Sequence, residues 1–124
     1  MKKIINTSSA PKAIGPYSQA VEVNNMLFVS GQIPVNPIDG SIPGDIVEQT
    51  KQVLDNMIAI LSSAGYTLDH VVKCTCLLSD MDNFQAFNTV YAQYFTKEPP
   101  ARAAYGVVKL PLGVLIEIEA IAVK

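Results

Sequence analysis

The amino-acid sequence predicts an α+β fold in which two helices cover one face of a mixed β-sheet. Strand-like segments are interrupted by only two helical ones, in the order ββαβαββ, which is typical of this layered arrangement. The chain has 124 residues, a length that suits one hydrophobic core. The last strand is apolar on one face and apolar apart from two carboxylates on the other. We therefore expect a single domain over residues 1–124, whose second sheet face packs against other subunits.

The first third of the chain predicts a short strand, a β-hairpin and a loop. Ile4-Ile5 is expected to open the short strand. The segments Ala20–Val23 and Met26–Ser30 are strand-like and are joined by Asn24-Asn25, a two-residue link of turn formers. From Gln32 to Gly44 the repeated prolines and glycines forbid a regular element, so we expect a loop that borders a pocket.

Helical periodicity predicts the two helices. Between Asp45 and Ala64 apolar residues recur at three- and four-residue spacing, and Gly65 supplies a C-terminal stop. A second helix is expected to begin from a cap at Ser79 or Asp80 and to run through Phe95. Its apolar stripe consists of Phe84, Phe87, Val90, Tyr91 and Tyr94.

The remaining strands are expected at Val71–Leu78, Ala101–Lys109 and Val114–Val123, with a turn at Leu110–Gly113. Because side chains alternate between the faces of a strand, the two carboxylates of the last strand share their face with apolar side chains. Two helices can bury only one face of the sheet. The other face is therefore expected to pack against further subunits.

Composition argues for an oligomer and against nucleic acid or a membrane as a partner. Charged residues make up 16% of the chain, against roughly 25% in an average soluble domain, which leaves little polar surface for a monomer. The net charge is −2 and the pI is about 5.2, so phosphate backbones and anionic lipids are not attracted. No segment resembles a signal peptide or a membrane span, and we expect a cytoplasmic protein.

The two cysteines, Cys74 and Cys76, lie one residue apart in a strand-like segment. They are expected to share a face at about 6.5–7 Å, the limit of the Cα separation that a disulfide tolerates. We expect buried, reduced thiols. A metal site would need these cysteines and His70 to crowd together within Asp69–Cys76, so no metal is expected.

Arg102 is the leading candidate for ligand binding. It stands among small residues, Ala101, Ala103 and Ala104, near the start of a strand. Small neighbours leave the guanidinium accessible for a bidentate clamp on a planar carboxylate. The alternative is an ordinary ion pair with a neighbouring acid, and composition alone does not displace it.

Glu117 is the candidate proton acceptor. A partly desolvated carboxylate with a raised pKa on the wall of the sheet can accept a proton from water. Glu119 lies on the same face of the strand. Either carboxylate has an alternative role as a structural partner for Lys73, Lys109 or Arg102.

Two further segments can line a ligand cleft. In Ile14–Gln19 a phenol, Tyr17, follows a flexible and a rigid residue, which suits packing against a small ligand. In Val29–Gln32 the hydroxyl of Ser30 precedes Gly31, whose missing side chain permits close approach of a ligand. The alternatives are a fixed loop and a simple strand exit.

The ordered motifs of the chain closely resemble the Rid (YjgF-type) family of reactive intermediate deaminases, and its RidA subgroup in particular. The segments that carry the resemblance are Ile14–Ala20, Val29–Pro34, Pro100–Arg102 and Ile116–Ala120. The resemblance spans nearly the whole chain. It implies a chorismate-mutase-like fold and a homotrimer whose sheets surround a central barrel, with sites in clefts between subunits.

The resemblance also implies hydrolysis of 2-iminopropanoate and 2-iminobutanoate to 2-oxo acids and ammonia, without a cofactor. Arg102 would hold the substrate carboxylate and Glu117 would activate water. Tyr17, Ser30-Gly31 and Asn88 would line the cleft. A small 2-imino or 2-oxo acid is then the expected ligand.

One position departs from the family pattern. Many relatives carry Cys two residues after the arginine, whereas this chain has Ala104, which can offer only its backbone N–H to the substrate. Activity is expected to survive while substrate preference is open, and the bulky Tyr105 beside it can alter the cleft. Two other functions remain open: a noncatalytic module that binds small carboxylates, and a ribonuclease, which the acidic pI argues against.

Overall fold

The computed structural model describes residues 1–124 and contains six strands and two α-helices in the order βββαβαββ, which places one short strand before the predicted order ββαβαββ. The strands are β1 (Lys3–Ile5), β2 (Ala20–Val23), β3 (Met26–Gln32), β4 (Val71–Leu78), β5 (Ala101–Gly106) and β6 (Ile116–Val123). The helices are α1 (Ile46–Ser63) and α2 (Phe84–Tyr94). The short strand expected at the N-terminus is present and adds an edge to the hairpin.

All six strands form one mixed sheet in the spatial order β1-β2-β3-β6-β4-β5. Neighbouring strands are antiparallel except β4 and β5, which are parallel and are therefore connected by a crossover through α2. Helix α1 lies against β3 and β6, and α2 lies against α1. The predicted arrangement of two helices on one face of a mixed sheet is confirmed.

Side chains of β6 alternate between the two faces of the sheet, as predicted. Ile116, Ile118, Ala120 and Ala122 are buried beneath the helices. The opposite side, here called the open face, carries the alternate side chains and their cross-strand neighbours: Ile4, Val21, Phe28, Lys73, Thr75, Glu117, Glu119 and Ile121. Phe28 is 40% exposed and Ile4 is 52% exposed. A single chain thus leaves apolar side chains of the open face in contact with water.

Helix α1 supplies the main apolar stripe of the core. Asp45 caps it by accepting a hydrogen bond from the N–H of Glu48 at 2.8 Å, and Gly65 follows its end with a φ of 82°. The buried side chains of the stripe are Val53, Leu54, Met57, Ile60 and Leu61. Burial of each contributes about 1.5–3 kcal/mol. Neither helix is both long and apolar enough to cross a membrane.

Cys74 and Cys76 on β4 are buried and unpaired, as predicted. Burial, with a smaller contribution from Cys74, raises the pKa of Cys76 to about 12, so its thiol keeps the proton at neutral pH. No group of three or more His, Cys, Asp or Glu side chains is placed to hold a metal ion.

The hairpin between β2 and β3 turns through Asn24 and Asn25, as the sequence predicts. Their φ values are 51° and 59°, and a two-residue hairpin link of this kind needs a positive φ at both positions. Asparagine adopts this conformation more readily than most residues. The turn fixes the register that pairs Ala20 with Val29 and brings the Tyr17 loop beside the end of β3.

Two strands are shorter than predicted. Strand β5 ends at Gly106. Beyond it the N–H of Val107 donates one more hydrogen bond to the carbonyl of Leu78 on β4, and Val108 is fully exposed. Strand β6 begins at Ile116 because the N–H of Leu115 donates to the side chain of Gln49 on α1, at 2.8 Å. The residues that end these strands are distant in the sequence, so a local pattern did not reveal them.

Helix α2 also begins later than expected. Asp80 does act as a cap, but it caps the short 3₁₀ turn Met81–Asn83 by accepting from the N–H of Asp82 at 2.9 Å. The α-helix follows directly from Phe84 and ends at Tyr94. The shift does not change which side chains of α2 face the sheet.

Candidate active site

A cavity of about 730 Å³ opens on the open face beside β3. Four of the predicted residues line it: Tyr17, Ser30, Gly31 and Glu117. Between Val29 and Gln32 the pairing of β3 with β6 is irregular. Such bulges recur beside active sites because they redirect side chains. Residues from three separate sequence motifs thus meet at one place.

Glu117 forms part of the wall of this cavity, next to Gly31. A Cβ built on Gly31 would overlap Oε2 of Glu117 and lie 3.0 Å from its Cδ, so the missing side chain of Gly31 makes room for the carboxylate. Partial burial, and then the charge of Glu119, raises the pKa of Glu117 above its ordinary value. Glu117 makes no ion pair, so the alternative of a structural partner for a lysine or Arg102 is wrong in the single chain. Its carboxylate is suited to accept a proton from water.

Two side chains fix the loop that carries Tyr17. The hydroxyl of Ser30 donates to the carbonyl of Ser18 at 2.6 Å, so its proton positions the loop. Gln19, only 3% exposed, accepts from the N–H of Thr7 at 2.7 Å and donates to two carbonyls of the same segment at 3.0 and 2.8 Å. Tyr17 itself is 49% exposed on the cavity wall. Gln19 belongs to the motif Ile14–Ala20, but the sequence alone indicated no role for its side chain.

Arg102, the only arginine of the chain, lies on the opposite face of the sheet. It is in register with Cys74, whose side chain is buried on the helix side, so Arg102 also points to that side. Its Nη1 donates to Oδ1 of Asn88 on α2 at 2.8 Å. The one ion pair of the chain joins Lys51 and Glu48. The alternative of an ordinary ion pair at Arg102 is therefore wrong in the single chain.

Three aromatic rings of α2 surround the guanidinium of Arg102. Its Cζ is 4.9 Å from the ring centroid of Tyr91 and 5.6 Å from those of Phe84 and Phe87. These rings were predicted only as the apolar stripe of a helix. The same three- and four-residue spacing buries rings in any amphipathic helix, so the sequence held no separate signal for this contact.

Ala104 offers a backbone donor at the free edge of the sheet. β5 is the last strand of the sheet, and the N–H of Val107 donates to Leu78 on β4 at 2.8 Å. In a parallel ladder alternate residues bond to the neighbouring strand, so the N–H of Ala104, three residues before Val107, points away from β4. The departure from the family pattern at this position removes a side chain and keeps the donor.

The candidate residues therefore form two groups in one chain. The first group surrounds Glu117 on the open face, and the second consists of Arg102, Asn88 and Ala104 at the edge of the sheet next to α2. Arg102 does not line the cavity that contains Glu117. A single chain separates Arg102 from Glu117 by the thickness of the sheet.

Known proteins resemble this chain over its full length. A family model described as Endoribonuclease L-PSP matches residues 7–124. A RutC family protein of Pyrococcus horikoshii is 56% identical over 100% of this chain and 99% of its own length. The putative regulator AldR of Lactococcus lactis is 54% identical, covering 97% and 96%. The mouse protein named 2-iminobutanoate/2-iminopropanoate deaminase is 50% identical, covering 100% and 93%.

Solved structures with the same fold are also similar to this chain in sequence. A crystal structure of E. coli TdcF with bound serine has a TM-score of 0.96 and 44% identity, covering 98% of each chain. The crystal structure of the YjgF gene product of E. coli has a TM-score of 0.96 and 46% identity, again covering 98% of each. Matches of this extent show common descent as well as a common fold. The chain therefore belongs to the Rid (YjgF-type) family.

Proposed function

We propose that this protein hydrolyses the 2-imino acids 2-iminopropanoate and 2-iminobutanoate to 2-oxo acids and ammonia. The observation that carries the proposal is the guanidinium of Arg102, which is held by a neutral amide and has no acid partner. A cation in this state retains N–H donors for a substrate carboxylate. The name of the mouse relative supports the same reaction.

In the proposed reaction Arg102 binds the substrate carboxylate through two parallel N–H groups and so fixes the position of the imine carbon. Glu117 accepts a proton from water while the water oxygen bonds to that carbon. The C=N double bond becomes a single bond to an amino group. Glu117 then returns this proton to the amino group, the C–N bond breaks to release ammonia, and the hydroxyl group of the intermediate loses its proton as it becomes the C=O of the 2-oxo acid. Because a protonated imine is already electrophilic, orientation and an activated water suffice and we expect no cofactor.

The neighbouring groups complete the proposed binding site. Tyr17 and Gly31 line the space next to Glu117, and the N–H of Ala104 is available to a carboxylate oxygen near Arg102. Asn88 holds Nη1 of Arg102 in place. All of these groups act through orientation or through a single hydrogen bond.

The two groups of residues come together in our proposal through assembly into a homotrimer. Within one chain Arg102 lies on the helix side and Glu117 on the open face. The open face carries uncovered apolar side chains such as Phe28 and Ile4, and packing against another copy would bury them. The reaction would then take place in a cleft where Arg102 of one copy faces Glu117 of the next.

The reaction is tested by coupling the protein to a serine or threonine dehydratase and following the decay of the imine with a trapping reagent. Arg102→Ala is expected to abolish the acceleration, whereas Lys109→Ala, an exposed cation beyond β5, keeps it. Equal imine decay with wild type and Arg102→Ala would contradict the proposal.

A noncatalytic module that binds small carboxylates is the second candidate, and the name of the Lactococcus relative favours it. Such a module would bind 2-oxobutanoate through Arg102 without accelerating imine decay. Its binding of 2-oxobutanoate would also be unchanged by Glu117→Gln. Binding calorimetry and the coupled assay, made on the same samples, separate the two functions.

Ribonuclease activity is a further possibility because the matching family model is described as an endoribonuclease. The net charge of −2 argues against it, since binding to a phosphate backbone depends on Lys and Arg. RNA cleavage that survives exhaustive purification and is lost in Arg102→Ala would favour this activity.

A further inference from the structure

We infer that Phe84, Phe87 and Tyr91 form an aromatic platform that positions Arg102 for carboxylate binding. This inference rests on the proposed function of Arg102. It assigns to α2 a role in substrate affinity, through residues that do not themselves contact the substrate. The three are positioning residues, and the evidence for them is geometric.

The platform is continuous and close to the guanidinium. Ring centroids of Phe84 and Phe87 are 6.2 Å apart and those of Phe87 and Tyr91 are 5.4 Å apart. The Cζ of Arg102 lies 4.9 Å from the Tyr91 centroid and 5.6 Å from each of the others. All three distances fall within the ~6 Å over which a ring attracts a cation. All three rings therefore attract the guanidinium as a cation.

Asn88 fixes the remaining freedom of the guanidinium. It lies on α2 between Phe87 and Tyr91 in the sequence, and its Oδ1 accepts from Nη1 at 2.8 Å. The rings attract the guanidinium towards α2, and this hydrogen bond holds one of its two terminal nitrogens. The N–H groups of Nη2 and Nε make no hydrogen bond within the chain and form one edge suited to a carboxylate.

Tyr91 is better explained by its ring than by its hydroxyl. The residue is 6% exposed, and the only side chain that interacts with its buried hydroxyl is the Cys74 thiol, a weak hydrogen-bonding group. The hydroxyl therefore does not hold Tyr91 against Arg102, whose guanidinium lies over the ring. Tyr91→Phe keeps the ring and is expected to keep the platform.

Loss of the platform should weaken binding more than chemistry. Arg102 bonds the carboxylate equally in the ground state and the transition state, because the carboxylate does not react. Losing such uniform binding raises KM and leaves kcat nearly unchanged. Damage to the fold would instead reduce the active fraction, lowering kcat at constant KM.

The test compares Tyr91→Leu and Phe84→Leu with Tyr91→Phe in the coupled imine assay and in calorimetric titration with 2-oxobutanoate. Both leucine variants are expected to raise KM and Kd about tenfold, while kcat stays within about twofold. Tyr91→Phe is expected to match wild type. Phe84 is only partly buried, so Phe84→Leu decides the matter if Tyr91→Leu does not fold.

Phe95→Leu is the matched control. Its ring stacks on Tyr91 with centroids 4.7 Å apart, and it belongs to the core, but it does not lie over Arg102. Phe95→Leu should lower the melting temperature without raising KM. Unchanged KM and Kd in the foldable leucine variants, or an equal rise in Phe95→Leu, would overturn the inference.

The same measurements distinguish the inference from the proposed function. If Arg102→Ala loses binding while the platform variants behave as wild type, only the positioning role fails. If Arg102→Ala itself binds and hydrolyses as wild type does, the proposed function fails and the inference fails with it.

Discussion

Glu117 can occupy its position because Gly31 beside it has no Cβ. Gly31 has no Cβ, and the carboxylate of Glu117 occupies the space that this atom would need. Gly31 has a φ outside the left-handed region, so its conformation alone does not demand glycine. Glycine is needed here because the side chain of Glu117 approaches so closely. The glycine in the motif Val29–Gln32 therefore reflects a contact between β3 and β6.

Gly31→Ala is expected to lower imine hydrolysis by about 10²-fold, because displacing a catalytic group by about 1 Å has this effect. The fold should persist, since the Glu117 side chain can move. Gly44→Ala is the control, because a Cβ there has no atom within 4 Å. Hydrolysis in Gly31→Ala equal to that in Gly44→Ala would show that the geometry at Glu117 is unimportant.

The raised pKa of Glu117 has opposite effects on activity and stability. A carboxyl group whose pKa is higher in the folded than in the unfolded state binds its proton more tightly when folded. Stability is then lost as the pH rises from the ordinary value through the raised one, and it stays lower above it. Glu117 is ionised, and so able to accept a proton, in the same pH range in which it lowers the stability of the fold.

Glu117→Gln is therefore expected to lower kcat by at least about 10²-fold and yet to melt at a higher temperature than wild type at pH 7. The difference in melting temperature should vanish near pH 4, where both side chains are neutral. Thermal unfolding at the two pH values measures it. A variant that melts below wild type at pH 7 would contradict the assigned environment of Glu117.

At the scale of single residues, the sequence indicated candidate site residues but not the side chains that contact them. Arg102 and Glu117 were identified from motifs, but only the structure removed the ion-pair alternative. Tyr91 was indistinguishable from an ordinary core residue of a helix. Contacts between side chains distant in the sequence have no local pattern that reveals them.

At the scale of elements, the cavity wall depends on buried amides that bond to irregular backbone. Gln19 holds the segment around Thr7, and Asn56 on α1 donates to the carbonyls of Ile33 and Val35 at 3.1 and 3.0 Å. These side chains satisfy backbone groups that no strand or helix pairs. The loops therefore stay in place beside β3 without secondary structure of their own.

Gln19→Ala is expected to destabilise the fold by about 1–3 kcal/mol, because it leaves several buried or partly buried backbone groups without a partner. Backbone amides near Thr7 should exchange with deuterium faster than in wild type. Gln93→Ala, on the exposed side of α2, controls for the loss of a glutamine. Unchanged exchange near Thr7 would show that Gln19 does not anchor this segment.

The elements themselves were largely predictable, and their ends were not. The period of α1 and the alternation of β6 depend on neighbours in the sequence, so they were identified correctly. The start of β6 depends on a hydrogen bond between Leu115 and Gln49, 66 residues apart. Such bonds exist only after the chain has folded.

At the scale of the whole molecule, a single chain separates the two side chains that the proposed reaction must bring together. Arg102 and Glu117 were expected to face each other in a cleft completed by a second subunit, and within one chain they lie on opposite sides of the sheet. That expectation agrees with the last strand, which carries apolar side chains on both faces. Glu117 and Glu119 are the only charged side chains among the apolar ones of this strand. Assembly would have to leave these two carboxylates beside a cleft.

If each site combines Arg102 of one copy with Glu117 of another, two inactive variants should restore each other. Arg102→Ala and Glu117→Gln, unfolded and refolded together in equal amounts, form mixed trimers in which about one site in four has both side chains intact. The mixture should recover about a quarter of wild-type activity, whereas the separately refolded variants remain inactive. Light scattering on each sample checks for a trimeric mass, and a mixture as inactive as its components would place both residues in one chain.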